Sequence, residues 1–270
     1  MSKKKKKPFG FLIILLIVLS LFLFYYWQNY SLQTMRYVLE YENFPSSFDG
    51  FKIVQISDMH GMEFGLNNRT LVKFITDMNP DIIILSGDMI SSNAQDGQAC
   101  LNFLTGIGDH FPIYMCLGNH EQIARWYEES SDVAYGYDAF IKQVQQSGVH
   151  ILDNEEVAFE RNGETISIFG LTPELYHYSR RDIEYADDSL LLQKEYIEGV
   201  LGNSSKGFNL LLAHNPSYFK EYTAWGADLI LSGHMHGGII QVPFKGGLLS
   251  PEMSSSQNTM PVCLNRINRE

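Results

Sequence analysis

Five apolar runs of strand length, each closing in Asp, Asn or His, constrain this chain more than any other feature. The runs are Lys52–Ser57, Asp81–Ser86, Ile113–Leu117, Phe208–Ala213 and Asp228–Ser232. Short apolar runs bounded by glycine and polar residues read as buried strands. Helix-length stretches separate them at Leu66–Met78, Gln98–Thr105, Tyr137–Gln146, Leu190–Leu201 and Ser217–Thr223. Such alternation predicts an α/β domain with crossover connections. In the middle, "VAFERNGETISIFGL" places two alternating runs around Asn162-Gly163, the dipeptide favoured in two-residue hairpin turns. A hairpin inside an otherwise α/β chain points to two sheets packed together with helices outside. At 270 residues and 45% hydrophobic, the chain is large enough to bury such a core.

The strand ends carry the chemistry. "VQISDMHG" supplies Asp58 and His60, "IILSGDMI" Asp88, "MCLGNHEQ" Asn119, His120 and Glu121, "LLLAHNPS" His214, and "ILSGHMHGG" His234 and His236. In an extended segment, residues two apart share a face, so Asp58 with His60 and His234 with His236 are each expected to converge. Ligands of α/β sheets bind at the carboxyl ends of strands. Oxygen and nitrogen donors without thiolates suit Mn, Fe or Zn and suit Cu(I) poorly. Seven such donors are too many for one ion and suit two divalent ions sharing a carboxylate. Any one of these pieces is more often turn chemistry than a ligand pair; it is their occurrence in order, each after a strand, that carries weight.

The series Asp58-x-His60, Gly87-Asp88, Gly118-Asn119-His120-Glu121, His214 and Gly233-His234-x-His236 resembles the calcineurin-like metallophosphoesterase superfamily across roughly residues 37–250. "FKIVQISDMHG", the apolar N-terminal segment and "GHMHGG" resemble its small bacterial membrane-anchored branch. The resemblance implies a four-layer αββα sandwich of two mixed sheets flanked by helices. It implies a first ion held by Asp58, His60 and His236, a second by Asn119, His214 and His234, and Asp88 bridging them. It also implies hydrolysis of a phosphomonoester, phosphodiester or pyrophosphate by attack of a metal-bound hydroxide. His120 is then the general acid or transition-state donor, oriented by Glu121. Gly87 and Gly118 are expected to let the backbone turn sharply, so that the following side chains face the ions.

Lys3–Lys7 precede an uncharged, mostly apolar run, Phe9–Trp27, about long enough to cross a bilayer. A cleaved signal peptide is the competing reading. The run is long for that role, lacks an A-x-A-like site, and ends in Tyr25, Tyr26 and Trp27, an aromatic belt. The expected order is a cytoplasmic polybasic tail (1–8), a single transmembrane signal anchor (9–27), and a connector with a first strand, "YVLEYE" (28–48). The metallophosphoesterase domain (49–250) and an atypical polar tail (251–270) follow, outside the cytoplasm. Lacking strand alternation, that tail leaves the second sheet open to missing its last strands. Setting aside the five lysines leaves 15 basic against 31 acidic residues, a formal −16 that disfavours nucleic acid as a partner. Two divalent ions outweigh the local carboxylates, so a phosphate can still dock. Cys100, Cys116 and Cys263 have no metal-like spacing, and a disulfide would require Cys100 and Cys263 to meet.

Substrate choice is expected in "EQIARWYEESSDVAYGYD" and "TPELYHYSRRDIEYADD". There Arg125, Arg180 and Arg181 are candidates to stack on a ring or grip a second phosphate, against the plainer reading, shared by His177, of a solvated loop. A phosphorylated small molecule or a lipid is the expected substrate, tethering making a lipid or lipid-linked phosphate a reasonable hypothesis, with the bilayer as partner through the N-terminal helix. Two alternatives stand beside this. One is a surface-tethered metal-binding protein without turnover; the other is a pyrophosphatase of the UDP-diacylglucosamine type, whose nucleotide-linked substrate is normally cytoplasmic.

Overall fold

The computed structural model describes residues 9–30, 32, 34–130, 136–178, 192–236, 240–242, 246–249 and 262–264. A first sheet has the order β1 (Ile53–Ile56), β2 (Ile82–Leu85), β3 (Ile113–Met115), β4 (Val149–Ile151). All of its pairings are parallel, not mixed as expected, because a helical crossover joins each strand to the next. These crossovers are α2 (Arg69–Met78), α3 (Gln98–Ile107), and α4 (Asn119–Ser130) with α5 (Tyr137–Gln146). The second sheet is mixed, in the order β11 (Val262–Leu264), β8 (Leu229–Leu231), β7 (Phe208–Ala213), β6 (Glu164–Leu171), β5 (Glu155–Arg161). Helices α6 (Lys194–Leu201) and α7 (Phe219–Trp225) belong to its crossovers, and β9 (Ile240–Val242) pairs with β10 (Gly246–Leu249) as a separate ribbon.

Strand alternation builds the layers. Ile82 and Ile84 of β2 meet Leu210, Leu212, Leu229 and Leu231 between the sheets, while Ile83 and Leu85 turn outward to Leu71, Ile75, Phe103 and Leu104. On the other side, Leu211 and Ile230 pack against Ile197, Tyr222 and Trp225. Each fully buried side chain of this size contributes about 1.5–3 kcal/mol. The result is an α/β fold of two sheets flanked by helices. The β5–β6 hairpin forms as its sequence predicts, with Asn162 (φ 53°) and Gly163 (φ 82°) both left-handed, as a tight primed turn demands.

Four elements differ from expectation. "YVLEYE" forms no strand; Leu39, Tyr41 and Phe44 instead pack on the inter-sheet core, with Tyr41 and Phe44 edge-on to Phe208 at 5.0 and 4.7 Å. Val149–Ile151 is a short edge strand beside β3. Residues 119–130, read as loop, form α4, whose inward face is Glu121, Gln122 and Ala124 and so shows little apolar periodicity. Within the tail read as strandless, Val262–Leu264 pairs antiparallel with β8 at the sheet edge. Cys100 and Cys116 are buried free thiols.

Helix α1 (Phe9–Tyr30) is long and apolar enough to cross a membrane, or to serve as a signal sequence, and its residues 10–27 are exposed. Its 22 residues span about 33 Å at 1.5 Å each.

Candidate metal centre

The loops after β1, β2, β3, β7 and β8 meet at one edge of the sandwich. Main-chain bonds stitch them: Asp58 N–H donates to Gly87 O (3.0 Å), His60 N–H to Asp88 O (3.1 Å), and Gly233 N–H to His214 O (3.0 Å). The side chains converge, but not through the extended backbone expected of residues two apart. Asp58, His60, Asp88, His234 and His236 have φ of 53°, 44°, 57°, 69° and 51°. Left-handed backbone is uncommon for residues with a Cβ and clusters at functional sites. Here it turns consecutive side chains back over the strand ends.

Gly87, at φ 92°, makes the sharp turn expected of it. Gly118 is needed for space instead: a Cβ there would strike the Asp88 carboxylate and fall 2.6 Å from Asp88 N. Gly233 likewise lies against Asp58, where a Cβ would sit 2.7 Å from Oδ2.

Three overlapping groups of His and Asp could hold cations: Asp58, His60 and His236; Asp88, His214 and His234; and His60, Asp88 and His120, with the donor atoms of each group within 4.8 Å of one another. His60 Nε2 and His236 Nε2 lie 3.3 Å apart with rings stacked at 4.8 Å. Two imidazole nitrogens about 2.1 Å from one tetrahedral ion would be about 3.4 Å apart. Asp88 Oδ2 lies 3.0 Å from His214 Nε2, 3.8 Å from His60 Nε2 and 3.9 Å from His120 Nε2, so Asp88 belongs to two of the groups and borders the third through His60. Asp88 Oδ1 is taken by His120 N–H at 2.9 Å. Asn119 Oδ1 is buried without a hydrogen-bond partner. A buried polar atom left this way costs about 1–3 kcal/mol. An orphaned amide oxygen beside clustered imidazoles and carboxylates fits a site for divalent cations.

Charge within the site is uneven. Burial alone would lower His214, but the Asp88 carboxylate, helped by Asp58 and by Ser86 O at 2.7 Å from Nδ1, outweighs it and raises the imidazole to about 9. Asp88 answers in the opposite direction: burial would raise it, but the His214 charge holds it below the ordinary carboxylate range. His234 is pushed down to about 4 by burial and by the charge of His214. Without cations, His214 therefore carries a proton at neutral pH that a cation must displace. Mn²⁺ affinity is expected to rise with pH up to about 9, by about tenfold per unit for one displaced proton. Calorimetry in buffers of different ionisation enthalpy, showing about one proton released near pH 7, checks this; pH-independent uptake would contradict it.

The other candidate residues separate. Glu121, expected to orient His120, is fully buried and turned away from it. Its carboxylate accepts main-chain N–H bonds from Asp88 (2.8 Å), Met89 (2.7 Å), Ile90 (3.2 Å) and Gly118 (2.8 Å). Burial and the nearby Asp88 carboxylate raise it to about 7 against the pull of those donors. His120 is instead held by Ser92, whose Oγ lies 2.5 Å from Nδ1. Sequence reasoning passed over Ser92, one serine in "SSN" with no signal of its own; its φ of 59° is the structural mark. Arg125, on α4, is ion-paired with Asp153 at 2.7 Å. Arg180 and Arg181 lie outside the described residues. His177 is not solvated: it is 2% exposed, among Tyr176, Tyr196 and Tyr218, and burial pushes it down to about 4.

Comparison with known proteins agrees with this geometry. The pattern of the calcineurin-like phosphoesterase family matches residues 51–238. The uncharacterized metallophosphoesterase YkuE of Bacillus subtilis is 31% identical over 232 residues, covering 84% of this chain and 72% of that protein. The UDP-2,3-diacylglucosamine pyrophosphatase LpxG of Chlamydia muridarum is 24% identical over 254 residues, 78% of this chain and 74% of its own length. A bovine transmembrane protein with a metallophosphoesterase domain is 27% identical over 209 residues, 73% of this chain and 42% of its own length. The match begins at β1 and runs through the final histidine pair, so every strand-end loop described above falls inside it, and the chain belongs to the calcineurin-like phosphoesterase family of metal-dependent enzymes.

Proposed function

We propose that the chain is a membrane-anchored phosphoesterase that uses two divalent cations (Mn, Fe or Zn) to hydrolyse a phosphomonoester, phosphodiester or pyrophosphate bond, with lipid and lipid-linked phosphates among its candidate substrates. The observation that carries it is the sharing of Asp88 Oδ2 among imidazoles from three other strand-end loops, those of His60, His120 and His214. Asp58, His60 and His236 would hold one cation, and Asn119, His214 and His234 the other, with Asp88 common to both. Bound there, the cations supply Lewis acidity toward phosphoryl oxygens and a nucleophile at neutral pH. His120, outside the two ligand sets, presents Nε2 beside Asp88 and is placed to give a proton to the leaving oxygen. The lysines before α1, and α1 itself, support an anchor with the domain outside the cytoplasm.

Metal analysis of the purified full-length protein, combined with a panel of aryl monoesters, aryl diesters and lipid phosphates, tests the proposal. Two ions per chain and turnover abolished by chelation and restored by Mn²⁺ are expected; a protein that binds cations without turning over any of the panel would instead be a binding module. UDP-diacylglucosamine belongs in the panel because LpxG is similar to this chain, and protease accessibility of the domain on intact cells decides whether such a substrate could reach it.

A further inference from the structure

Glu121 is a fully buried carboxylate that touches neither His120 nor, among the described residues, any basic side chain. Removing such a charge from water is unfavourable unless dedicated donors replace the lost hydration. Those donors are four main-chain N–H groups, two on each oxygen. Oε2 takes Asp88 and Gly118, and Oε1 takes Met89 and Ile90. The carboxylate thus ties the loop after β2 to the loop after β3.

Within the helix that it begins, Glu121 stands three residues after Gly118 and reaches back to that N–H, which is one half of a capping box. A second N–H at the start of the helix is met from the loop after β2, since Asp88 Oδ1 accepts the N–H of His120. Each loop therefore caps the other, and the exchange leaves Asp88 Oδ2 as the free oxygen beside His214. The tie extends further. Asp88 O and Met89 O accept N–H bonds from His60 (3.1 Å) and Gly61 (3.3 Å), and Asp58 Oδ1 accepts the N–H of His234 at 2.9 Å.

We infer that Glu121 is the positioning residue of the metal centre: its carboxylate fixes the left-handed main chain at Asp88, and through it the spacing of both cation sites. This rests on the proposed two-cation reading. An amide in its place offers only one acceptor oxygen and turns an NH₂ group toward two N–H donors, so the loops must part although the side chain is nearly isosteric.

Glu121→Gln is expected to bind Mn²⁺ about 10–100-fold more weakly at both sites and to lose the exchange-coupled Mn–Mn paramagnetic signal of a carboxylate-bridged pair. Ile75→Ala, a core change remote from the loops, serves as the control for lost stability and is expected to keep wild-type Mn²⁺ affinity. Should Glu121→Gln not fold, Glu121→Asp, which keeps the charge but is one methylene too short to reach all four donors, is measured the same way with the same expectation. Wild-type affinity and an unchanged coupled signal in the folded variant would overturn the inference. A wild-type chain that takes up no Mn²⁺ pair would instead overturn the proposed function.

Discussion

Asp88→Asn is expected to lower kcat/KM on an aryl phosphodiester by about 10³-fold or more, some 4 kcal/mol of transition-state stabilisation, with the fold intact. The amide can keep the acceptor that Oδ1 gives to His120 N–H at 2.9 Å, so the start of α4 stays capped. Where Oδ2 faced the His214, His60 and His120 nitrogens at 3.0–3.9 Å, the variant presents N–H groups and no charge. A shared ligand is lost to both proposed sites at once, which is why the effect should exceed that of removing a ligand from one site alone. Circular dichroism with metal content and turnover in Mn²⁺-replete buffer checks it. A second signature needs no turnover. His214 loses the anion that raises it, so its NMR titration in the metal-free variant should move well below the wild-type value of about 9. Near wild-type turnover with two bound ions would remove Asp88 from the role given to it here.

What could be read from the sequence was chemistry in order along the chain; what could not was the geometry that assembles it. The strands carrying Asp58, Asp88, Asn119, His214 and His234 show as apolar runs because both faces of β2 and β7 are buried. The backbone at Asp58, His60, His234 and His236 left no such trace. A left-handed residue other than Gly or Asn looks like any other in a sequence, so the assumption of extended pairs predicted convergence by a route the chain does not take. Helix α4 escaped notice for a related reason: its inward face is Glu121, Gln122 and Ala124, and the Glu121 carboxylate is held there by N–H groups of neighbouring loops that no periodicity reveals. The direction of Glu121 depends on which loop lies across from it, a tertiary fact. The same holds for Ser92, which gains its meaning from a histidine 28 residues away.

His120→Ala separates chemistry from metal binding. The imidazole can join a cation-binding group with His60 and Asp88, so ligation is the competing role. The role proposed for it is proton delivery. Nδ1 is held by Ser92 at 2.5 Å, and Nε2 stands 3.9 Å from Asp88 Oδ2, about as far as His60 Nε2 at 3.8 Å, so this distance alone does not separate the two roles. The ring meets His60 edge-on at 4.7 Å instead of stacking as His236 does. A positioned acid contributes about 10²–10⁴-fold, so kcat should fall by that much while two Mn²⁺ ions remain bound; loss of an ion would make His120 a ligand. The leaving group adds a second measure. Protonation matters less as the leaving alcohol becomes more acidic, so the deficit should shrink for nitrophenyl substrates and widen for alkyl ones. Ser92→Ala completes the argument, because a hydroxyl acting only through His120 should reduce kcat in the wild-type background and add nothing in His120→Ala, a non-additivity that a double-mutant cycle reads directly. An additive loss would place Ser92 in contact with substrate or with the fold, independent of the imidazole it holds.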